Sequence, residues 1–144
     1  MQQPAPQPQR RSGEPDDGQR CLRVVHQQVV DPGPHGPRQA RAAVQRWARD
    51  AGAERLCDDL MLIVSELVTN AVRYGAPPVR VEVAVEDRTI TVAVRDDDPV
   101  APVPKDADAD AEGGRGLLLI DLLALEHGVR SEPPGKTVWA ALAR

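Results

Sequence analysis

At 144 residues, with 41% apolar residues and a formal net charge of -4, the chain has the size of one domain built on a single two-layer core. The acidic balance argues against a nucleic-acid or membrane surface as the main partner, and no apolar run approaches the roughly 20 residues of a membrane span. Phe is absent and Trp47, Tyr74 and Trp139 are the only aromatics, so Val, Leu, Ile and Ala must supply the core.

Residues 1–20, "MQQPAPQPQRRSGEPDDGQR", are rich in Pro and Gln and carry no apolar periodicity. Such a composition cannot offset the entropy of ordering, and a disordered tail is expected ahead of a domain spanning 21–144. Arg10 and Arg11 are followed by "SGEPDDGQ" and not by an apolar stretch, so they do not make a secretion signal. Cys21 and Cys57 are isolated, without C-x-x-C spacing, and fit small buried thiols of a reducing compartment. A cytoplasmic location is expected.

"CLRVVHQQVV", Cys21 to Val30, is β-branched and fits a first strand, closed by the Pro/Gly cluster "DPGPHGP". Pro37 suits the first turn of a helix; Ala40, Val44, Trp47 and Ala51 follow at helical spacing, and Gly52 stops it. A second helix is expected from about Ala53 to Tyr74, with Leu56, Leu60, Ile63, Leu67, Ala71 and Tyr74 as its apolar stripe and Gly75 and two prolines after it. "VRVEVAV" and "TITVAVRD" alternate strictly and are joined by a short turn at Asp87 and Arg88, the pattern of an antiparallel hairpin. Val79, Val81, Val83, Val85, Ile90, Val92 and Val94 form its inward set. A Pro/Ala/Asp segment without periodicity follows, and a lid is expected at about 97–113. "GGRG" then opens an apolar helix, "LLLIDLLAL", and "GKTVWAAL", Gly135 to Leu142, closes the chain as a strand.

Three features carry chemistry. In "SELVTNAVRYG", Glu66 and Asn70 are four residues apart, offset by only about 40° around the helix, with Arg73 one turn further on. A carboxylate and an amide at the margin of an apolar stripe can serve a proton acceptor and a hard cation such as Mg²⁺, although a solvated helix face has the same composition. Asp96 has the parity of the inward set, so it points to the core side at a strand end. It fits an acceptor for an exocyclic amine such as that of adenine, or a turn-forming Asp in "DDDP". "EGGRG" before a helix is a backbone nest suited to phosphate, or a flexible hinge. The repeat "DADADAE" lacks the Gly and the bidentate Glu of a calcium loop, because Ala111 and Leu117 stand at those places.

Taken in order, these motifs resemble the GHKL (Bergerat-fold) ATPases, most closely the anti-sigma-factor serine/threonine kinase branch, over Cys21 to Leu142. "ELVTNAVRYG" is similar to that family's N box, which implies Glu66 as general base, Asn70 as Mg²⁺ ligand, and Arg73 beside the nucleotide. "VRDDDP" resembles the first glycine-box region, with Asp96 as the adenine contact. "GGRGLLLI" resembles the second, with Gly114, Arg115, Gly116 and Leu117 at the phosphates, and Thr137 in "GKTVW" would be a distal nucleotide contact. The resemblance implies an α+β two-layer sandwich with helices on one face of a mixed, mainly antiparallel sheet. It further implies ATP and Mg²⁺ as ligands and phosphorylation of an anti-sigma antagonist protein. A non-catalytic, nucleotide-responsive module that sequesters a sigma factor or antagonist is the alternative. Homodimerisation is left open.

Overall fold

A computed structural model describes residues 23–100 and 118–144. The expected tail, Cys21, most of the expected lid and Gly114, Arg115, Gly116 and Leu117 lie outside the described residues. The chain order is β1 (Val24–Val30), α1 (Gly36–Asp50), a 3-10 turn (Glu54–Leu56), α2 (Cys57–Tyr74), β2 (Val79–Val85), β3 (Thr89–Asp96), β4 (Glu126–Glu132) and β5 (Gly135–Ala143). The strands form one sheet in the order β1-β2-β3-β5-β4, and every pairing in it is antiparallel. Residues 118–123 are also helical.

The helices form as their apolar spacing demands. Pro37 sits in the first turn of α1, and Ala40, Ala43, Val44, Trp47 and Ala48 are buried along one face. Gly52 ends that region with φ +71°, a left-handed conformation that favours glycine. The second helix divides into two parts, because Glu54–Leu56 is wound as 3-10 and the α-helix starts only at Cys57. Asp58 and Asp59 lie in its first turn, where they complement the exposed N–H groups. Leu60, Ile63, Val64, Leu67, Val68 and Ala71 are its buried face. Tyr74 departs from the expected stripe. It keeps the stripe's azimuth, but it is the last helical residue and is 45% exposed, with the Arg73 guanidinium 5.8 Å from its ring centre; the stripe outruns its partner layer.

All seven apolar residues of the expected hairpin set are buried, and they meet the two helices in one core cluster. Burial of each such side chain stabilises the fold by roughly 1.5–3 kcal/mol. The helices therefore cover one face of the sheet, and strand parity carries Asp96 onto that same face.

Two elements differ from the sequence reading. Strand β4, "EHGVRSE", lies at the sheet edge with mostly exposed residues. It is held by backbone pairing to β5 alone, so it needs no apolar alternation. Gly128 lies over the Trp139 ring, where a Cβ would make a tight contact at 3.2 Å. The apolar helix after the glycines is shorter than "LLLIDLLAL". Ile120 is buried, Leu118, Leu122 and Leu125 are exposed, and the backbone N–H of Leu125 already donates to Ala141 O at the start of the β4–β5 ladder.

Candidate nucleotide site

The end of α2, the end of β3 and the start of β5 converge on the Asp96 carboxylate, which is 1% exposed. Its Oδ1 accepts the backbone N–H of Ala76 at 3.2 Å and of Asp98 at 2.8 Å. The ammonium of Lys136 lies 3.1 Å from both Oδ1 and Oδ2 and also donates to Asp98 O at 2.9 Å. The Asp97 N–H donates to Ala76 O at 2.8 Å, which ties the chain leaving β3 to the chain leaving α2. A buried carboxylate is tolerable only with such partners, and among the described residues Oδ2 has only the Lys136 ammonium.

Two glycines make this approach possible. A Cβ on Gly75 would stand 2.5 Å from Asp96 Cγ and 2.6 Å from Ala71 O. One on Gly135 would stand 1.8 Å from Asp96 O. Gly75, read from the sequence as a helix stop, is thus also the surface against which Asp96 rests.

Glu66 and Asn70 are both half-buried on α2, between the buried Ile63 and the end of the helix at Gly75. Arg73 is exposed on the last turn. Ser65, beside Glu66, donates its hydroxyl to Met61 O at 2.6 Å and accepts Arg41 Nη1 at 3.2 Å, so α1 braces the helix at the level of Glu66. Sequence spacing gave Arg41 no role. Its only signal was a helical position facing α2, which needs the packing of the two helices to be known.

Thr137 is not brought together with Asp96. The register places Asp96 opposite Lys136 and Arg95 opposite Thr137, so Thr137 lies on the face of the sheet away from the helices. There it hydrogen-bonds Glu132, whose carboxyl is held below its ordinary range. The hydrogen bond from Arg130 is the main cause, opposed by burial and aided by the charge of Arg130, the Thr137 hydroxyl and the charge of Arg95. Arg95 itself donates to Asp97 Oδ1 at 2.9 Å and to Glu132 O at 3.1 Å. The inward position next to Asp96 belongs to Lys136, which sequence reasoning did not select; counting parity across two strands requires their register.

The donor set suits an aminopurine nucleotide with its cation. Asp96 Oδ2 retains acceptor capacity for an amine, and Asn70 offers a hard oxygen of the kind Mg²⁺ takes alongside nucleotide phosphates. Among the described residues no group of three or more His, Cys, Asp or Glu side chains could hold a metal ion, and no helix is long and apolar enough to cross a membrane.

A crystal structure of the RsbU and RsbW domains of Rv1364c from Mycobacterium tuberculosis is similar in fold, with a TM-score of 0.62 at 22% identity. The match covers 84% of this chain and 32% of that one, so the chain spans about a third of that protein's length. No curated protein matches the sequence. The model of the histidine kinase-like ATPase domain matches residues 31–142, most of the chain and every described element from α1 onwards, and the chain belongs to that family.

Proposed function

We propose that the protein binds ATP with Mg²⁺ and transfers the γ-phosphoryl group to a serine or threonine hydroxyl of a partner protein, in the manner of an anti-sigma-factor kinase. The observation that carries this reading is the buried Asp96 carboxylate, fixed by two backbone N–H groups and a lysine at the junction of α2, β3 and β5.

In this reading the adenine amine donates to Asp96, and Asn70 would hold Mg²⁺, which would supply charge neutralisation at the phosphates. Glu66 takes the proton of the attacking hydroxyl; the new bond forms from that oxygen to the γ-phosphorus while the bond to the β–γ bridging oxygen breaks and ADP leaves. Arg41 holds Ser65, and with it the turn of α2 that carries Glu66. Gly114, Arg115, Gly116 and Leu117 are assigned to the phosphates from the sequence motif. Thr137, on the other face of the sheet, is assigned a support role through Glu132 and the loop that ends β4. The similarity to a structure containing an RsbW domain supports a partner from the sigma-factor regulatory proteins, and transcription would then be affected indirectly.

The test is to capture partners from a lysate with the full-length protein and add γ-labelled ATP with Mg²⁺. Label on a captured protein at serine or threonine supports the kinase reading. ATP binding without any labelled partner favours the sequestering module.

A further inference from the structure

The two edges of the sheet are built differently. Strand β4 closes one edge with Glu126, Arg130 and Glu132 among its seven residues, and charges of this kind discourage a further strand from pairing. Strand β1 forms the other edge and, among the described residues, pairs with β2 alone. Its sequence, "VVHQQVV", contains no Asp, Glu, Lys, Arg, Gly or Pro, and Val24, Val25 and Val29 are 47%, 44% and 55% exposed along it. An uncharged, β-branched edge of seven residues is a template for another strand.

The order of residues in β1 specifies which strand fits. "VVHQQVV" is nearly palindromic about Gln27. If β1 lies antiparallel to β1 of a second copy with a two-fold axis at Gln27, Val24 meets Val30, Val25 meets Val29, His26 meets Gln28, and Gln27 meets its own counterpart. Such a self-complementary patch is what a two-fold interface requires, and matched β-branched pairs stabilise a ladder. One position beyond the ladder, Arg23 comes opposite Asp31 of the second copy, and symmetry makes that opposite-charge pair twice. Each residue meets one of its own parity, so the helix-covered faces stay on the same side and the two five-stranded sheets become one. Residues 1–22, ahead of the strand, hold four prolines and no Val, Ile or Thr, a composition unsuited to supplying the missing strand from the same chain.

We propose that β1 is a self-association edge, at which a second copy of this chain adds its own β1 antiparallel in the register centred on Gln27. The edge lies two strands from Asp96, and pairing there needs no nucleotide. A single strand pair buries little area, so the dimer forms reversibly and in proportion to concentration.

Sedimentation velocity of the full-length protein, from low to high micromolar concentration, together with cysteine cross-linking tests this. The wild type should pass from monomer to dimer. Val25→Lys with Val29→Lys, which sets lysines opposite lysines, should remain monomeric. Trp47 stacks on His26 of the same strand at 5.4 Å, so an unchanged tryptophan spectrum shows that β1 is still in place in that variant. Arg23→Glu should weaken association by about tenfold, a surface charge effect doubled by symmetry, and adding Asp31→Arg should restore it. Under mild oxidation Gln27→Cys should form a disulfide-linked dimer well above the wild-type level, because opposed residues lie within disulfide reach. Val25→Cys should not, since its counterpart stands four residues away along the ladder, roughly 13 Å. A monomer at every concentration overturns the proposal, whether another protein's strand or this chain's own residues then take the edge. A dimer that survives the paired lysines, or that cross-links through Val25→Cys and not Gln27→Cys, also overturns it by placing the contact elsewhere or in another register.

Discussion

Lys136 lies directly across the β3–β5 ladder from Asp96, donates to Oδ1 of its carboxylate and pairs with Oδ2 at 3.1 Å, with 7% and 2% of the two side chains exposed. Removing one member of so buried a pair strands the other charge, at a cost of about 3–5 kcal/mol. Lys136→Met should therefore lose stability on that scale in urea unfolding followed by tryptophan fluorescence. The double variant Asp96→Asn, Lys136→Met should recover most of it, since no charge is then left buried. An equal loss in both proteins would mean that the pair is not the source of the cost.

Gly75 has no room for a side chain. The nearest atoms include the Ala71 carbonyl oxygen, which belongs to the last turn of α2 and cannot step aside without unwinding it. Gly75→Ala should displace Asp96 and weaken ATP binding by about tenfold or more, the loss expected when a charged acceptor leaves its place. Gly52→Ala is the contrast. Nothing lies within 4 Å of its Cβ position and only the positive φ opposes it, so it should cost about 1 kcal/mol of stability and leave ATP affinity unchanged by calorimetry.

Glu66→Gln keeps the shape of the proposed base and removes its proton affinity. Phosphotransfer to the partner should fall by about 10²–10⁴-fold while ATP affinity stays near that of the wild type. A parallel loss of binding and transfer would instead place Glu66 in nucleotide binding.

Glu132 gives a pH dependence with a definite sign. Its folded-state pKa lies below the ordinary value of 4.5, chiefly because of the hydrogen bond from Arg130. A group depressed in this way adds stability above its unfolded value and loses it as pH falls through the folded value. The stability difference between wild type and Glu132→Gln should thus be constant near neutrality and shrink below about pH 4.5. Urea midpoints measured from pH 7 downwards check this, and a difference that grows with acidity would contradict it.

Much of the architecture was legible because apolar residues recur at fixed intervals. The buried faces of α1 and α2 and the inward set of the β2–β3 hairpin follow from periodicity, and Asp96 was placed on the helix-covered face by counting from Val94. Strand β4 was not legible, because an edge strand held by backbone pairing leaves no apolar trace. The exposure of Tyr74 was hidden for a similar reason: periodicity gives a direction around a helix but not where its partner layer ends. At the candidate site, residue type and spacing marked Glu66, Asn70 and Asp96 but left a solvated helix face and a turn-forming Asp open, and only the family resemblance gave them their expected roles. Choosing Lys136 over Thr137 as the neighbour of Asp96 depended on the pairing of β3 with β5, and the two candidates are adjacent in sequence with opposite parity. The bracing of Ser65 by Arg41 likewise belongs to the packing of two helices.

The central claim is that the buried carboxylate at the end of β3 receives the base of a nucleotide. Calorimetric titration of Mg²⁺-ATP into the wild type and Asp96→Asn tests it most directly. The wild type should bind saturably and the variant, its folded state confirmed by its tryptophan spectrum, should lose about 1.5–3 kcal/mol of affinity. Equal affinity in the two proteins would contradict it.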